Sequence, residues 1–341
     1  MLANGELTRP ARARFDEPAA RAVASVQVPR VFSTVGLPEV RRIELWESHN
    51  AAALIGLSCH TTGPDSLEAT ELNLQIGQVQ LARVAGSAHV VERTAGVIRS
   101  TPADAIAVYL TLRGDAWFED EGGSRALRPG HILICDADRP FARGFARGLE
   151  ELAIKVPRLA FTENTGLASL RSPILADFRS GGDPYARALA SLTGRAARSE
   201  RAVPADERTV LELVTVLAVG RDADPSLAYR AAARSFIEAH LPDPGLTASR
   251  VAAAIGISER HLSRVFAAGG TSIPGHVLSR RLQLAYAILT GPAVSGGTVA
   301  DVAAACGFTS AAYFSHVFRE HFGQRAGEVR RQAQVGTRTP A

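Results

Sequence analysis

The chain contains one pattern twice, as Val251-Ala-Ala-Ala-Ile-Gly-Ile-Ser-Glu-Arg-His-Leu-Ser-Arg-Val-Phe266 and as Val302-Ala-Ala-Ala-Cys-Gly-Phe-Thr-Ser-Ala-Ala-Tyr-Phe-Ser-His-Val-Phe318. In each copy small residues precede a glycine, which suits the left-handed turn that ends a helix. Apolar residues then recur at helical spacing, for example at Leu262, Val265 and Phe266. Each copy therefore predicts a short helix, a turn and a second helix, the helix-turn-helix arrangement.

The residues around both copies strengthen this prediction. Thr247 and Thr298 are placed to cap the first helix of their copy, and Ser258 is placed to cap the second helix of the first copy. Between the copies, Ile273 to Leu289 carries apolar residues at helical spacing and predicts one linking helix. A rigid linking helix would hold both reading helices on one face of DNA, about 34 Å apart.

The polar face of each second helix supplies the candidate DNA contacts. Arginine suits a bidentate contact to guanine, serine serves several bases or a phosphate, and alanine touches only the thymine methyl group. The alternative is a bundle of helical hairpins with an ordinary solvated face. The candidates are Arg260, His261, Ser263 and Arg264 in the first copy and Ala311, Ala312, Ser315 and His316 in the second.

The charge distribution favours a nucleic-acid partner at this end of the chain. From Arg230 to Ala341 there are 12 arginines and 6 acidic residues, a net charge of +6. The preceding part carries 26 basic and 28 acidic residues, a net charge of −2. Such asymmetry is typical of a basic nucleic-acid-binding domain joined to a near-neutral one, although a general bias towards arginine would also raise the count.

The C-terminal third, about residues 232–333, resembles the AraC/XylS family of bacterial transcription regulators. The resemblance rests on both repeat copies, on Arg280-Arg-Leu-Gln-Leu-Ala between them, and on Phe318-Arg-Glu-His-Phe-Gly323 after the second. It implies an all-α double helix-turn-helix domain that binds double-stranded DNA through the candidate residues above. It also implies RNA polymerase as a partner, activation of transcription, and a homodimer.

The N-terminal part shows a different periodicity. Apolar and polar residues alternate in short runs between about residues 70 and 157, and turn signals such as Arg128-Pro-Gly separate the runs. Short strands at regular spacing predict a β-barrel or sandwich. Beyond Pro157 two helices are predicted, around Tyr185 and over Asp206 to Val219.

The second of these helices carries an apolar stripe that includes Val210, Val214 and Leu217. A polar segment beginning at Gly220 follows and predicts a linker. We interpret the stripe as the contact surface of a homodimer. The alternative is that it packs only on the β-barrel of its own chain.

The run from Leu110 to Pro140 resembles the cupin-like sensor domain that precedes the DNA-binding domain in many members of this family. It also resembles the subgroup associated with the breakdown of aromatic amines, aldehydes and nitriles. The resemblance implies a small organic effector. Aromatic residues in the region are candidates to line an apolar pocket, although each also suits an ordinary core. They are Trp46, Tyr109, Trp117 and Phe141.

Several function classes are not favoured. The three cysteines are too few for a disulfide framework, no apolar run reaches the length of a membrane span, and the start does not read as a signal peptide, so a cytoplasmic protein is expected. The four N-terminal histidines show no His-x-His pair, so neither a metal nor another cofactor is predicted. Two alternatives stay open: a cupin-type metal enzyme, and a DNA-binding protein that needs no effector.

The sequence thus predicts an α+β multidomain protein that is not an enzyme. We expect a partly disordered segment (1–40), a cupin-like sensor (41–170), a helical dimerisation segment (171–222), a linker (223–231), the double helix-turn-helix domain (232–333) and a flexible tail (334–341).

Overall fold

A computed structural model describes residues 29–64, 66–198, 204–291 and 297–336. The strands are β1 (Arg30–Ser33), β2 (Ser58–Thr61), β3 (Ala69–Ile76), β4 (Val79–Gly86), β5 (His89–Arg93), β6 (Ala105–Arg113), β7 (Ala116–Asp120), β8 (Gly123–Leu127), β9 (His131–Asp136), β10 (Phe141–Phe145), β11 (Leu149–Pro157) and β12 (Ile174–Asp177). The helices are α1 (Glu39–Ala53), α2 (Ala95–Ser100), α3 (Arg158–Thr165), α4 (Pro184–Ala196), α5 (Glu207–Val219), α6 (Pro225–His240), α7 (Ala248–Ala254), α8 (Glu259–Ala268), α9 (Ile273–Thr290), α10 (Val299–Ala305), α11 (Ala311–Phe322) and α12 (Ala326–Gly336).

Two antiparallel sheets form the N-terminal domain and confirm that this part of the chain is rich in β-structure. The larger sheet has the strand order β1-β3-β4-β11-β6-β9-β12, and the smaller has the order β2-β5-β10-β7-β8. Alternate residues of the larger sheet face opposite ways, as the period of two in a strand requires. On β6, Tyr109 joins a core shared with the smaller sheet, whereas Val108 joins a core shared with α3, α4 and α5.

The predicted dimerisation stripe lies inside the chain. Val210 and Val214 on α5 are 0% and 1% exposed and pack in the core between the larger sheet and the helices. β12 pairs with β9 of the same sheet. The described residues between 171 and 222 are therefore part of the N-terminal fold, and the prediction that the stripe is a free dimer surface was wrong. An apolar stripe reads the same in a sequence whether it faces a partner or its own sheet.

The C-terminal part is helical and contains both predicted helix-turn-helix units, α7–α8 and α10–α11, with α9 as the linking helix. Each unit begins at its predicted cap: Thr247 accepts from the Arg250 backbone NH, and Thr298 forms a reciprocal capping box with Asp301. The turn glycines Gly256 and Gly307 have φ angles of +74° and +83°, which glycine adopts without strain. The buried faces of these helices meet in one apolar core.

The predicted linker at 223–231 is instead the first half of α6, whose N-cap is Asp224. Leu227 and Ala231 of this helix join the sensor core, whereas Ala233 and Ile237 join the core of the helix-turn-helix domain. One continuous helix therefore belongs to both domains. The polar segment that suggested a linker is confined to the short turn before Asp224.

The chain ends also differ from the expectation where they are described. The segment 1–40 includes β1 and the start of α1, and the expected tail begins within α12. Residues 1–28 and 337–341, on which the rest of those two expectations falls, lie outside the described residues. None of the described helices is both long and apolar enough to cross a membrane.

We expect Leu213→Ala to lower the free energy of unfolding of the sensor domain by about 2–5 kcal/mol, because it leaves a cavity in a full core. Leu213 lies on α5 and is 0% exposed. Val40→Ala, at a position on α1 that is 91% exposed, is the control and should change that free energy by no more than about 0.5 kcal/mol. Urea unfolding of both variants measures this. Equal, small losses in both would contradict the burial of the α5 stripe.

Candidate nucleic-acid interface and effector site

The first helix-turn-helix unit presents its predicted contact residues to solvent. Ser258 accepts from the His261 backbone NH (3.2 Å) and starts α8. Leu262, Val265 and Phe266 anchor one face of this helix in the core. The opposite face is exposed and carries the three predicted contacts Arg260, Ser263 and Arg264.

His261 lies at the border between these two faces. It is half-buried, and its ring packs edge-on against Tyr229 of α6, with 5.4 Å between ring centroids. The side chain therefore helps to hold α8 on α6. A DNA contact by His261 stays a prediction.

The second unit presents a less basic face. Ala311, Ala312, Ser315 and His316 are all exposed on α11. The Ser315 hydroxyl donates to the Ala311 carbonyl oxygen (2.9 Å), and His316 Nε2 lies 3.6 Å from the carboxylate of Glu320. Both polar side chains thus already have a neighbour within their own helix.

Sequence reasoning missed further groups beside α11. Tyr313 is 52% exposed although it is aromatic. A groove of about 290 Å³ also lies between the second unit and α12. Its lining residues are Val299, Ser315, His316, Arg319, Arg325, Ala326 and Gly327. Arg319 directly follows the second repeat copy and Arg325 lies beyond it, so neither arginine is part of the repeated pattern from which the contacts were predicted.

Helix α9 is held between the two units by its arginines. Arg280 is 3% exposed and donates to both carboxylate oxygens of Glu238 on α6, at 2.5 and 3.1 Å. Arg281 donates to the Leu241 and Asp243 carbonyl oxygens at the end of α6, at 3.0 and 2.6 Å. These bonds fix α9 to α6, so the family-like Arg280-Arg281 pair supports the fold and not the DNA-facing surface.

Three of the four predicted effector residues lie together between the two sheets. Trp46, Tyr109 and Phe141 belong to one buried core cluster. Trp117 does not belong to this cluster. It lies opposite Gly144 in the strand register, and its side chain points to the other face of the smaller sheet. There its indole covers Gly144, where a Cβ atom would lie 2.2 Å away. The structure therefore does not bring Trp117 together with the other three.

The same interior contains buried polar groups that the sequence analysis did not single out. Arg143 on β10 donates to both carboxylate oxygens of Glu151 on β11, at 3.0 and 2.6 Å, and its guanidinium lies 3.7 Å from the centroid of the Tyr109 ring. Glu71 on β3 is 0% exposed, and His49 Nε2 lies 3.8 Å from its carboxylate. Burial raises the pKa of Glu71 to about 7. Within the described ranges, no group of three or more His, Cys, Asp and Glu side chains is placed to hold a metal ion.

A second buried polar cluster joins the sensor to the DNA-binding domain. Glu212 on α5 is 2% exposed and pairs with two arginines of α6, Arg230 at 2.7 Å and Arg234 at 3.2 Å. Arg234 also lies 3.5 Å from Asp206 and 3.4 Å from His276 Nδ1 on α9. Because a guanidinium only donates, His276 Nδ1 accepts there and the imidazole proton lies on Nε2. This interface cluster thus consists of Asp206, Glu212, Arg230, Arg234 and His276.

Burial sets the direction of the pKa shift at three members of this cluster, Glu212, Arg234 and His276. It raises the pKa of Glu212 and lowers that of Arg234, in each case against the attraction of the opposite charge. Burial, and after it the charge of Arg234, lower the pKa of His276 to about 3. At neutral pH the imidazole is therefore neutral.

Comparison with known proteins agrees with both domains. A model described as an AraC-binding-like domain matches residues 46–220, just over half of the chain, and one described as a helix-turn-helix domain matches residues 251–332. The chain therefore belongs to the AraC family of DNA-binding transcriptional regulators, as the sequence resemblance indicated.

Individual relatives are distant. The transcriptional activator NphR of Rhodococcus sp is 25% identical over 279 residues, which are 76% of this chain and 80% of that protein. A Bacillus sp. protein described by its position in the nit 5′ region is 24% identical over 254 residues, 69% of this chain and 96% of the relative. The crystal structure of the AraC-like activator CuxR covers 81% of this chain and 99% of its own, at 18% identity and a TM-score of 0.46.

We expect Arg234→Ala to lower the free energy of unfolding by about 3–5 kcal/mol, because it removes one of the two α6 cations that pair with the buried Glu212 carboxylate and also the cation 3.5 Å from Asp206. Arg208→Ala is the matched control. Arg208 also faces Glu212, at 3.7 Å, but its side chain is 52% exposed. Its loss should cost less than about 1 kcal/mol. Thermal or urea unfolding compares the two, and equal costs would show that burial does not set the strength of this contact.

We expect the free energy of unfolding to fall with pH below 6.5 through His276. The unfolded chain then binds a proton that the folded chain, with its lowered His276 pKa, does not bind. The loss reaches about 2 kcal/mol at pH 5. His276→Asn should remove it. Glu71 has a raised pKa, so its protonation stabilises the folded state as the pH falls, in the unaltered chain and in the variant alike. The difference between the two pH profiles of the unfolding free energy therefore reports His276 alone. Identical pH profiles would contradict the prediction.

Proposed function

We propose that this protein is an effector-responsive activator that binds double-stranded DNA through α8 and α11. The observation that carries the proposal is the pair of helix-turn-helix units whose second helices are anchored by one apolar face and expose the other. The family supports binding to DNA and to RNA polymerase in the cytoplasm. The name of the activator NphR supports activation over repression.

Direct reading of bases depends mainly on α8. Arg260 and Arg264 are exposed there and can each make a bidentate contact with guanine. The face of α11 offers the methyl groups of Ala311 and Ala312 instead. With Arg319 and Arg325 beside it, the second unit is suited to phosphate and methyl contacts.

The effector is a small organic molecule held between the two sheets of the sensor, and the regulated genes form a catabolic operon. The interior combines aromatic side chains with a few buried polar groups, which is typical of a ligand site. The resemblance to regulators of aromatic amine, aldehyde and nitrile breakdown supports this class of effector.

A homodimer is also part of the proposal, but its contact differs from the α5 stripe. Two leucines remain exposed at this end of the domain, Leu159 on α3 at 67% and Leu175 at 47% on the edge strand β12, where Leu175 points to the face of the sheet opposite the helices. An edge strand with an exposed apolar side chain can pair with a second copy. Light scattering of the Leu175→Arg variant tests this contact. If Leu175 lies in the dimer interface, we expect the variant to be a monomer that keeps the sensor fold.

We expect Arg264→Ala to relax the sequence preference strongly, since a bidentate arginine–guanine pair supplies about 1–3 kcal/mol of discrimination. His316→Ala should relax it less. Arg250→Ala is the control, because Arg250 lies on α7 and pairs with Asp243. Selections on randomised DNA half-sites with the full chain measure the preference, and salt titrations measure the phosphate contribution. Equal information in both half-sites, with equal losses for Arg264→Ala and His316→Ala, would contradict the assignment of base reading to α8.

A further inference from the structure

We propose that the interior of the sensor binds a protonated amine on an aromatic body, with the Glu71 carboxylate as its counter-ion. The inference rests on the proposed function in one respect, since it takes the space between the two sheets as the effector site. It adds the chemical class of the ligand and the residue that selects it.

The first argument is the set of polar atoms left without partners. Both carboxylate oxygens of Glu71 and Oδ1 of Asn73 are buried and have no hydrogen-bond partner within 3.5 Å among the described residues, although the Asn73 side chain lies near enough to Glu71 to lower its pKa somewhat. Asn73 turns its Nδ2 towards His49 Nε2, at 2.9 Å. Glu71 and Asn73 are two positions apart on β3 and so face the same side of the sheet. Leaving buried acceptors unpaired costs free energy. A ligand that donates hydrogen bonds to these three neighbouring acceptors would remove that cost.

The second argument is the charge balance of the interior. Arg143 and Glu151 form a bidentate ion pair and neutralise each other. The two histidines that face this region, His49 on α1 and His89 on β5, both have pKa values lowered by burial and are neutral at pH 7. Glu71 is left as the one unbalanced charge among these groups. A ligand cation compensates it, whereas without one the carboxyl takes up a proton more easily, as its raised pKa shows.

The third argument is the shape of the sheet beside Glu71. In the strand register, Asn73 on β3 lies level with Ala82 on β4, Ala153 on β11 and Tyr109 on β6. Adjacent strands are about 4.8 Å apart, so only two methyl groups stand between the backbones of Asn73 and Tyr109 over roughly 14 Å. Trp46, Phe118, Phe141 and Phe145 belong to the same core cluster. Small residues flanked by aromatic ones suit the flat body of an aromatic ligand.

These groups distinguish among the ligand classes that the family resemblance offered. Aldehydes and nitriles only accept hydrogen bonds and cannot serve the three acceptors at Glu71 and Asn73, and a carboxylate ligand would be repelled by Glu71. An ammonium group donates three hydrogen bonds and carries the missing charge. The two unpaired donors nearby, Tyr109 OH and Arg143 Nε, can serve an accepting atom elsewhere on the same ligand.

Access to the site is through α1. Trp46 and His49 of this helix close the interior above Glu71, and His49 stacks on Phe32 of the edge strand β1, with 4.3 Å between ring centroids. Entry of a ligand requires this cover to move. Binding is thus linked to the packing of α1 on the larger sheet.

Calorimetric titration of the full chain with four compounds of one body tests the proposal: benzylamine, benzyl alcohol, benzaldehyde and benzonitrile. At pH 8 we expect benzylamine to bind at least about tenfold more tightly than the other three. Glu71→Gln should reduce this preference to less than about threefold. Glu68→Gln is the matched control, because Glu68 precedes the same strand but its side chain is 61% exposed on the outside, where it pairs with Arg42. It should keep the full preference.

A pH profile of the unaltered chain gives a second readout that does not depend on the folding of a variant. The affinity for benzylamine should rise from pH 6 to pH 8 as Glu71 loses its proton, while the affinity for benzyl alcohol stays flat, because the amine remains protonated throughout this range. Among the groups that face Glu71, Arg143 and Glu151 pair with each other, and burial lowers the pKa of both His49 and His89, which favours their neutral form.

Three results would overturn the inference. They are equal affinities for benzylamine and benzyl alcohol, an unchanged amine preference in Glu71→Gln, and no binding of either benzylamine or 4-phenylbutylamine at millimolar concentration. A mobility-shift assay with the protein's own promoter DNA separates this inference from the proposed function. Amine binding without DNA binding would refute the proposed function as a regulator and leave the amine site in place. DNA binding without amine binding would refute the amine site and leave the proposed function in place.

Discussion

The guanidinium of Arg234 lies where two domains meet and is almost completely buried. It comes from α6, the helix whose first half packs in the sensor core and whose second half packs in the DNA-binding core. A charge in this position is tolerated only with partners close by. Glu212 and Asp206 from the sensor and His276 from α9 provide them. The relative placement of the two domains therefore depends on one shared helix and one buried, ion-paired arginine.

Three layers of structure follow from this constraint. α5 presents Glu212 to α6 only because its apolar residues hold it on the larger sheet, and that sheet is the one whose opposite face contains Glu71. At the other end, α9 is tied to α6 through Arg280 and carries a helix-turn-helix unit at each end. The buried carboxyl in the sensor and the exposed arginines of α8 thus belong to one continuous series of packed elements.

Much of the architecture could be predicted from the sequence, because local patterns determine it. The two helix-turn-helix units follow from their caps, turn glycines and apolar spacing, and the strands follow from alternation between turns. The packing partner of α5 could not be predicted, since an apolar stripe does not indicate which surface covers it. The first half of α6 was missed because Asp222, Asp224 and Pro225 read as a chain break, whereas here Asp224 is the N-cap and Pro225 the first helical residue.

The candidate sites divide in the same way. The exposure of the proposed DNA-contact positions on α8 and α11 could be predicted because a helix places them relative to its own buried face. Glu71, Arg143 and Glu151 could not, because they lie on three strands that are distant in sequence, and each reads alone as an ordinary polar residue of an alternating strand. Trp117 was predicted to face the interior, but adjacent residues of a strand point to opposite faces, and it is the neighbouring Phe118 that points into the core.

The shared helix also limits how such a regulator is recombined with its relatives. A chimera joined within residues 223–231 would combine half of α6 from each parent and would separate Arg230 or Arg234 from the carboxylates selected to meet them. A junction in the turn at Gly220 to Ala223 would keep α6 whole but would still set it against a foreign α5. Sensory domains can therefore be exchanged between members of the family only where the surface of α6 matches that of α5. The residues on both sides of the domain border have to be transferred together.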